Sequence, residues 1–389
     1  MMLKRWFDKN KFHKGNAVTL LQSGVEFFSE LERMILSANH FIHIQIYIFD
    51  DDETGMHIIN LLKKKAAQGV KIFIVVDGYG SEKISKTHID EMKNAGIKFK
   101  VFSPVQKILK FQIGRRLHHK IILVDGKSAL VGGINISNRY NGSLDEIAWL
   151  DFAVKAEGVV CNDILKVCED VWRKKMKYFF KNELHPFIHL ERKSENISVR
   201  LLQNDFVRRN IEISRFYRQN IKNSSGSLTI VSSYFLPGNR MRHLLKKASQ
   251  RGVKIKLLLS SKSDVGLMKS ATNYLYPFLL RNGIEIFEWQ ASVMHGKLMI
   301  IDNKLTTVGS YNINTLSDYG SLELNVCVDD EAFSETSTTR INQLISSGCK
   351  KIIAEDYIKQ HYWWSKLINW LSYQLMRTSL KLLFLLMRK

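Results

Sequence analysis

The chain has 389 residues, of which 45% are apolar and 24% charged, enough for two ordinary domains with their own cores. With only four Pro and no low-complexity stretch, it is not a largely disordered protein. The formal net charge of +21 favours a polyanionic partner, either nucleic acid or an anionic membrane surface, and does not distinguish them.

The first residues, Met1 to Lys14, are basic and aromatic without a continuous apolar core, so neither a signal peptide nor a membrane span is expected there. Phe41–Phe49 (FIHIQIYIF) is β-branched and aromatic, as a strand requires, and a helical stretch follows around Met56–Gln68. Gly69 then opens a second strand, GVKIFIVVDG, and Ala95–Phe102 (AGIKFKVF) reads as a third. Next come HHKIILVD, from His118, and ALVGGIN, a strand-like segment ending in a Gly turn.

The same order recurs further along. Leu228–Leu236 (LTIVSSYFL) precedes a helical Met241–Gln250, and GVKIKLLLS follows from Gly252. Asn282–Trp289 (NGIEIFEW) matches the third strand, and HGKLMIID and TTVGSYN complete the series. Strand, helix, strand, helix, strand is the alternation of an α/β domain, here present twice. The expected architecture is two homologous α/β halves, 1–185 and 186–350, divided near the charged stretch Lys181–Arg200. A third segment, 351–389, carries Trp363, Trp364 and Trp370 among many Leu, with scattered Lys and Arg. That mixture predicts an amphipathic helix lying on an anionic bilayer, a C-terminal helix packed on the core being the plainer alternative.

Two copies of His-x-Lys-x-x-x-x-Asp stand at equivalent places: His118, Lys120 and Asp125, then His295, Lys297 and Asp302. On a strand, positions two apart share a face, so each His projects beside its Lys. A neutral imidazole can attack phosphorus or shuttle a proton, and an ammonium neutralises phosphate oxygens during transfer. A Lys on each face and the lack of a carboxylate-rich cluster argue against a metal site, so no cofactor is expected. Gly132–Asn135 and Gly309–Asn312 lie at the same distance from each His. The four cysteines (Cys161, Cys168, Cys327, Cys349) have no CxxC or zinc spacing and read as reduced thiols of a cytosol-facing protein.

The paired HxKxxxxD motifs resemble those of the phospholipase D superfamily, and the whole chain resembles its bacterial cardiolipin synthases. YIFDDDETG (Tyr47–Gly55), VVDGYGS (Val75–Ser81), GGINISNRY (Gly132–Tyr140), WLDFAVKAEG (Trp149–Gly158), SSYFLPG (Ser232–Gly238) and GSYNINTLSDYGSLELN (Gly309–Asn325) carry the likeness across residues 18–345. Arg115, Arg116 and the basic run from Lys107 match a basic approach to the first motif. The resemblance implies two phospholipase D-like α/β/α sandwich halves with one active site at their interface. It also implies transfer of a phosphatidyl group from phosphatidylglycerol or a similar phospholipid to a second lipid alcohol.

In that scheme one His forms a phosphatidyl-histidine and the other acts as acid and base, the family's usual nucleophile corresponding to His118. Lys120, Lys297, Asn135 and Asn312 would hold phosphoryl oxygens. Glu323 is expected to orient His295, and Asp151 to orient His118, with Asp125 and Asp302 bracing the site. Ser137 and Ser317 are secondary contacts or turn residues. His119 stands where the family commonly has Arg and is expected to be an exposed bystander. Many relatives begin with two transmembrane helices, and the short forms without them resemble this chain better. The expected setting is the cytoplasmic face of the cell membrane, peripherally bound. Plain hydrolysis or nuclease action uses the same machinery. No added nucleic-acid module is recognisable, and the C-terminal segment is too apolar for one. Oligomeric state and acceptor lipid are left open.

Overall fold

The computed structural model describes residues 11–104, 115–143, 146–173, 195–205, 210–355, 357 and 363–387, with backbone alone at 315–316 and 379–387. In the first half the strands are β1 (His13–Gln22), β2 (Phe41–Ile46), β3 (Lys71–Asp77), β4 (Lys98–Phe102), β5 (Arg116–Leu117), β6 (Lys120–Val124), β7 (Ser128–Gly132) and β8 (Phe152–Gly158). In the second they are β9 (Ile197–Asp205), β10 (Asn210–Ile211), β11 (Ser227–Ser232), β12 (Lys254–Ser260), β13 (Glu285–Trp289), β14 (Lys297–Ile301), β15 (Leu305–Gly309), β16 (Ser321–Asp329) and β17 (Cys349–Ile352). The expected division between halves falls on residues 174–194, which lie outside the described residues, as does the basic run from Lys107 to Gly114.

Pairing repeats as the sequence does. β4, β3 and β2 are parallel neighbours, and β2 continues antiparallel through β6, β7 and β8 to β1. β13, β12 and β11 are likewise parallel, continuing antiparallel through β14, β15 and β16 to β9. β1 pairs with β9 and joins the two sets. The helix before β3 ends at Gly69 (φ 88°), and the one before β12 at Gly252 (φ 90°), left-handed positions that favour glycine.

Three apolar clusters account for the layers. Helices Val25–Ser37 and Glu53–Ala67 bury Phe28, Leu31, Ile58 and Leu62 on the outer face of the first sheet, with Ile44 and Ile122 beneath them. The helices of the second half cover Ile230, Leu257 and Met299 in the same way. Alternation along the strands sends the opposite residues inward. Ile121, Leu123, Leu298 and Ile300 therefore share a central core with helices Val160–Arg173 and Glu331–Gly348. The result is a pair of α/β/α halves. Of the cysteines, Cys161, Cys168 and Cys327 are buried thiols in these cores.

The C-terminal segment forms a helix, Trp363–Met387. It packs on the body through buried Asn369, Ser372 and Tyr373 and leaves Trp363, Trp364, Leu367, Ile368, Trp370, Leu371 and Leu375 exposed. Among the described residues no helix is long and apolar enough to cross a membrane.

Candidate active site

β6 and β14 run antiparallel to their parallel neighbours, so the His–Lys end of each motif lies at the carboxyl edge of the parallel strands. Loops converge there in open α/β sheets. The segment leading into each motif is pinned twice. Asp77, buried at the end of β3, accepts from Leu117 N (2.9 Å), and Ser260, ending β12, accepts from Met294 N (2.8 Å). The second pin crosses to the other half. β5 pairs with β16, and His118 N donates to Leu322 O at 3.0 Å. Leu150 bridges Met294, and His295 N donates to Leu150 O at 2.7 Å.

Each histidine thereby meets a carboxylate from the opposite half. His118 Nδ1 lies 2.9 Å from Glu323 Oε2, and His295 Nδ1 lies 2.7 Å from Asp151 Oδ2. This reverses the expected pairing of Glu323 with His295 and Asp151 with His118. An anionic carboxylate can only accept, so Nδ1 carries the proton and Nε2 presents its lone pair. Lys297 Nζ, 2.9 Å from His295 Nδ1, then directs a hydrogen to the His295 carbonyl, as Lys120 Nζ does to that of His118.

The two carboxylates are supported differently. Ser310 Oγ donates to Glu323 Oε2, while Asp151 Oδ1 accepts from Phe152 N at 2.7 Å. Gly133 occupies the place equivalent to Ser310. A Cβ there would stand 2.6 Å from Asp151 Oδ2 and closer to Oδ1. The sequence aligned these two positions, but neither had an assigned role.

Burial sets the electrostatics. Lys120 is pushed down to about 7, chiefly by burial and then by the charge of Lys297. Lys297 falls to about 8 through burial, against the pull of Asp151, Glu323 and Asp264. Burial lowers His118, with Glu323 opposing, and lowers His295 further, with Lys297 and Lys120 adding to it. Asp151 rises to about 6 through burial, although Lys297 draws it down. Two buried lysines beside two imidazoles held neutral by burial give an anion cationic partners, and a bound anion would in turn favour their charged forms.

Aromatic rings wall the site. Tyr47 stands edge-on to His118 at 5.0 Å and faces Lys120 at 5.2 Å. Tyr140 and Trp149 lie 5.5 and 6.1 Å from His295 and Tyr234 6.4 Å, ring to ring. Asn135 accepts from Ile48 N and donates to Tyr140 Oη, which lies 3.4 Å from His295 Nδ1. Asn135 thus positions Tyr140. Asn312 Oδ1 accepts from Ser233 Oγ at 2.7 Å. Ser137 Oγ accepts from Arg139 N, and Ser317 Oγ from Asn312 N, so both are turn residues.

Asp125 and Asp302 are elsewhere. Five residues of strand carry each about 16 Å from its lysine. Asp125 accepts from Asn39 N, His40 N and Phe41 N, and Asp302 from Ser225 N, Gly226 N and Ser227 N. They lock the turns before β2 and β11 and do not belong with the catalytic groups. His119 is also corrected, being buried rather than exposed. Alternation turns it into the central layer, where its Nε2 lies 2.7 Å from Gln45 Oε1; Gln45 Nε2 reaches His43 and the Cys168 carbonyl.

The cardiolipin synthase, phospholipase D-like domain family matches residues 31–184 and 217–345, and the chain belongs to that family of phosphatidyltransferases. It is 30% identical over 370 residues to Cardiolipin synthase B of Salmonella typhimurium, covering 94% of this chain and 89% of that one. To Cardiolipin synthase B of Escherichia coli K12 it is 28% identical over 381 residues, 95% and 90% of the two chains. The fold is also that of phosphatidylserine synthase from Haemophilus influenzae, with a TM-score of 0.72 at 14% identity over 97% of both chains.

Proposed function

We propose that the chain transfers a phosphatidyl group from phosphatidylglycerol, or a similar phospholipid, to the alcohol of a second phospholipid at an anionic membrane surface. The crossed His–carboxylate pairs carry this reading, because they leave two oriented Nε2 atoms with two lysines between the halves. His118 Nε2 would attack phosphorus, and the bond to the headgroup oxygen would break as His295, which takes up a proton at Nε2 when the anionic phosphodiester binds, delivers that proton to the oxygen. The incoming alcohol would return its proton to His295 as its oxygen displaces the P–N bond, restoring neutral His118. Lys120 and Lys297 would hold the non-bridging oxygens. His118 is the more exposed side chain, 16% against 8% for His295, which supports its role as the attacker.

The surface near the site suits lipid. Asp264, bonded to Tyr234 Oη, precedes exposed Val265 and Leu267, and the exposed face of the C-terminal helix lies beyond. We place the protein peripherally on the cytoplasmic face on this ground and on its net charge of +21. The test is incubation with labelled phosphatidylglycerol, with and without phosphatidylethanolamine. Cardiolipin is the expected product. Phosphatidic acid alone would make the protein a hydrolase, and an unchanged substrate would refute lipid transfer.

A further inference from the structure

Between the C-terminal helix and the helices Gly266–Asn273 and Tyr276–Arg281 lies a cavity of about 420 Å³, apart from the His–Lys site. Its lining brings together Arg242, Arg281 and Lys366 with the rings of Tyr274 and Phe278, and includes no carboxylate among the described residues. Arg281 and Lys366 are exposed and Arg242 half-buried, so the three form a cationic rim that no carboxylate among the described lining residues balances.

Arg242 makes the point most directly. Its guanidinium sits 5.9 Å from the ring of Phe278 and 5.8 Å from that of Tyr373, and its Nη2 donates to Asn239 Oδ1. Its Nε is buried with no hydrogen-bond partner among the described residues. A buried N–H of a cation is destabilising when unmatched, the more so where the charge is fully enclosed. Arg281 is tied by Nε to Pro277 O at 3.0 Å, which holds its side chain at the rim.

The surroundings indicate where the anion comes from. Trp363 and Trp364 are each 60% exposed and Ile368 is 56% exposed, on the helix that supplies Lys366. Tyr373 stacks on Tyr274 at 4.7 Å, so this apolar face is fixed beside the cavity and does not hang free. Trp at headgroup depth, apolar side chains below it and cations alongside match the profile of a bilayer interface.

We propose that this cavity binds the phosphate of an anionic phospholipid that stays in the bilayer, at a site separate from the transfer site. The inference rests on the membrane reading above and adds a discrete headgroup site to it. Occupancy would seat the C-terminal helix on the surface with the Asp264–Leu267 edge toward lipid, next to the ring of Tyr234 that flanks His295.

The experiment measures partition of the full chain onto phosphatidylcholine vesicles with and without phosphatidylglycerol, at physiological salt. The double variant Arg281→Gln/Lys366→Gln should lose about tenfold or more on the anionic vesicles, since each interfacial cation contributes about 1 kcal/mol. The control Lys64→Gln/Lys71→Gln, whose exposed lysines lie in the last turn of the helix Glu53–Ala67 and at the start of β3, should lose less than about twofold. Unchanged thermal midpoints establish that both variants fold. Equal losses in the two variants would reduce the effect to diffuse charge and overturn the site, as would no loss in the first. Inorganic phosphate that fills one more site in the wild type than in the first variant, with equal vesicle partition of the two, would make it a free-anion site and overturn the lipid assignment. A wild type that binds neither kind of vesicle would defeat the membrane reading itself.

Discussion

Glu323 Oε2 and His118 Nδ1 are 2.9 Å apart although 205 residues separate them in sequence, so the first half's histidine is oriented by the second half. Asp151 and His295 make the reciprocal contact at 2.7 Å. Neither half holds a complete set of groups. Replacing Glu323 by Gln keeps the shape but offers an amide where a carboxylate fixed the tautomer and stabilised the imidazolium. Transfer should fall about 10³-fold with little change in KM, and His118 should be the affected group. Near-normal turnover in Glu323→Gln would defeat the crossed-pair account.

The supports of the two carboxylates make a sharper test. Ser310→Ala removes one hydrogen bond to Glu323 and leaves space, so turnover should drop modestly, by about tenfold. Gly133→Ala places a methyl group against the Asp151 carboxylate, and either Asp151 or the β7–β8 junction must move. It should therefore cost much more, on the order of 10²-fold or greater. Rates for the two variants in the opposite order would refute this assignment of support.

The repeat, the alternation and the His–Lys faces were legible because each depends on local pattern: strand period, a glycine after a helix, residues two apart. The choice of carboxylate was not. It is fixed by β5 lying on β16 and by the Leu150–Met294 bridge, contacts between segments that no local spacing connects. His119 was misread for a related reason. Alternation places it opposite His118, but only the packed Val160–Arg173 helix reveals that this face is covered. Asp125 and Asp302 were expected to brace the site because they belong to the motif. The rise of the strand takes them to the far end of it.

That reading predicts a stability defect with the chemistry intact. Asp125→Ala would strip three backbone N–H groups of their acceptor and leave a residue other than Asp or Asn at φ 52°. A loss of about 2–3 kcal/mol in unfolding free energy is expected by denaturant titration. Turnover per folded molecule should stay within about twofold. A large fall in turnover with stability unchanged would return Asp125 to the catalytic set.

The lysines make anion binding depend on pH in a stated direction. Lys120 is lowered to about 7 and Lys297 to about 8, burial being the first cause for both. Sulfate keeps a constant charge across this range, so its affinity reports the protein alone. It should weaken as pH rises through about 6, when Asp151 ionises, and further through 7 to 9, when the ammonium groups discharge. By linkage, binding near pH 8 should take up protons, which calorimetry in buffers of different ionisation enthalpy would measure. Without the anion the sign for folding is opposite. Both folded values lie below the unfolded lysine value of about 10.4, so the unfolded chain holds more protons between about pH 7 and 10, and these two residues make stability rise with pH there. Lys120→Met should flatten both effects on the low-pH side. Sulfate binding that tightens as pH rises would rule out the charged lysines as the anion's partners.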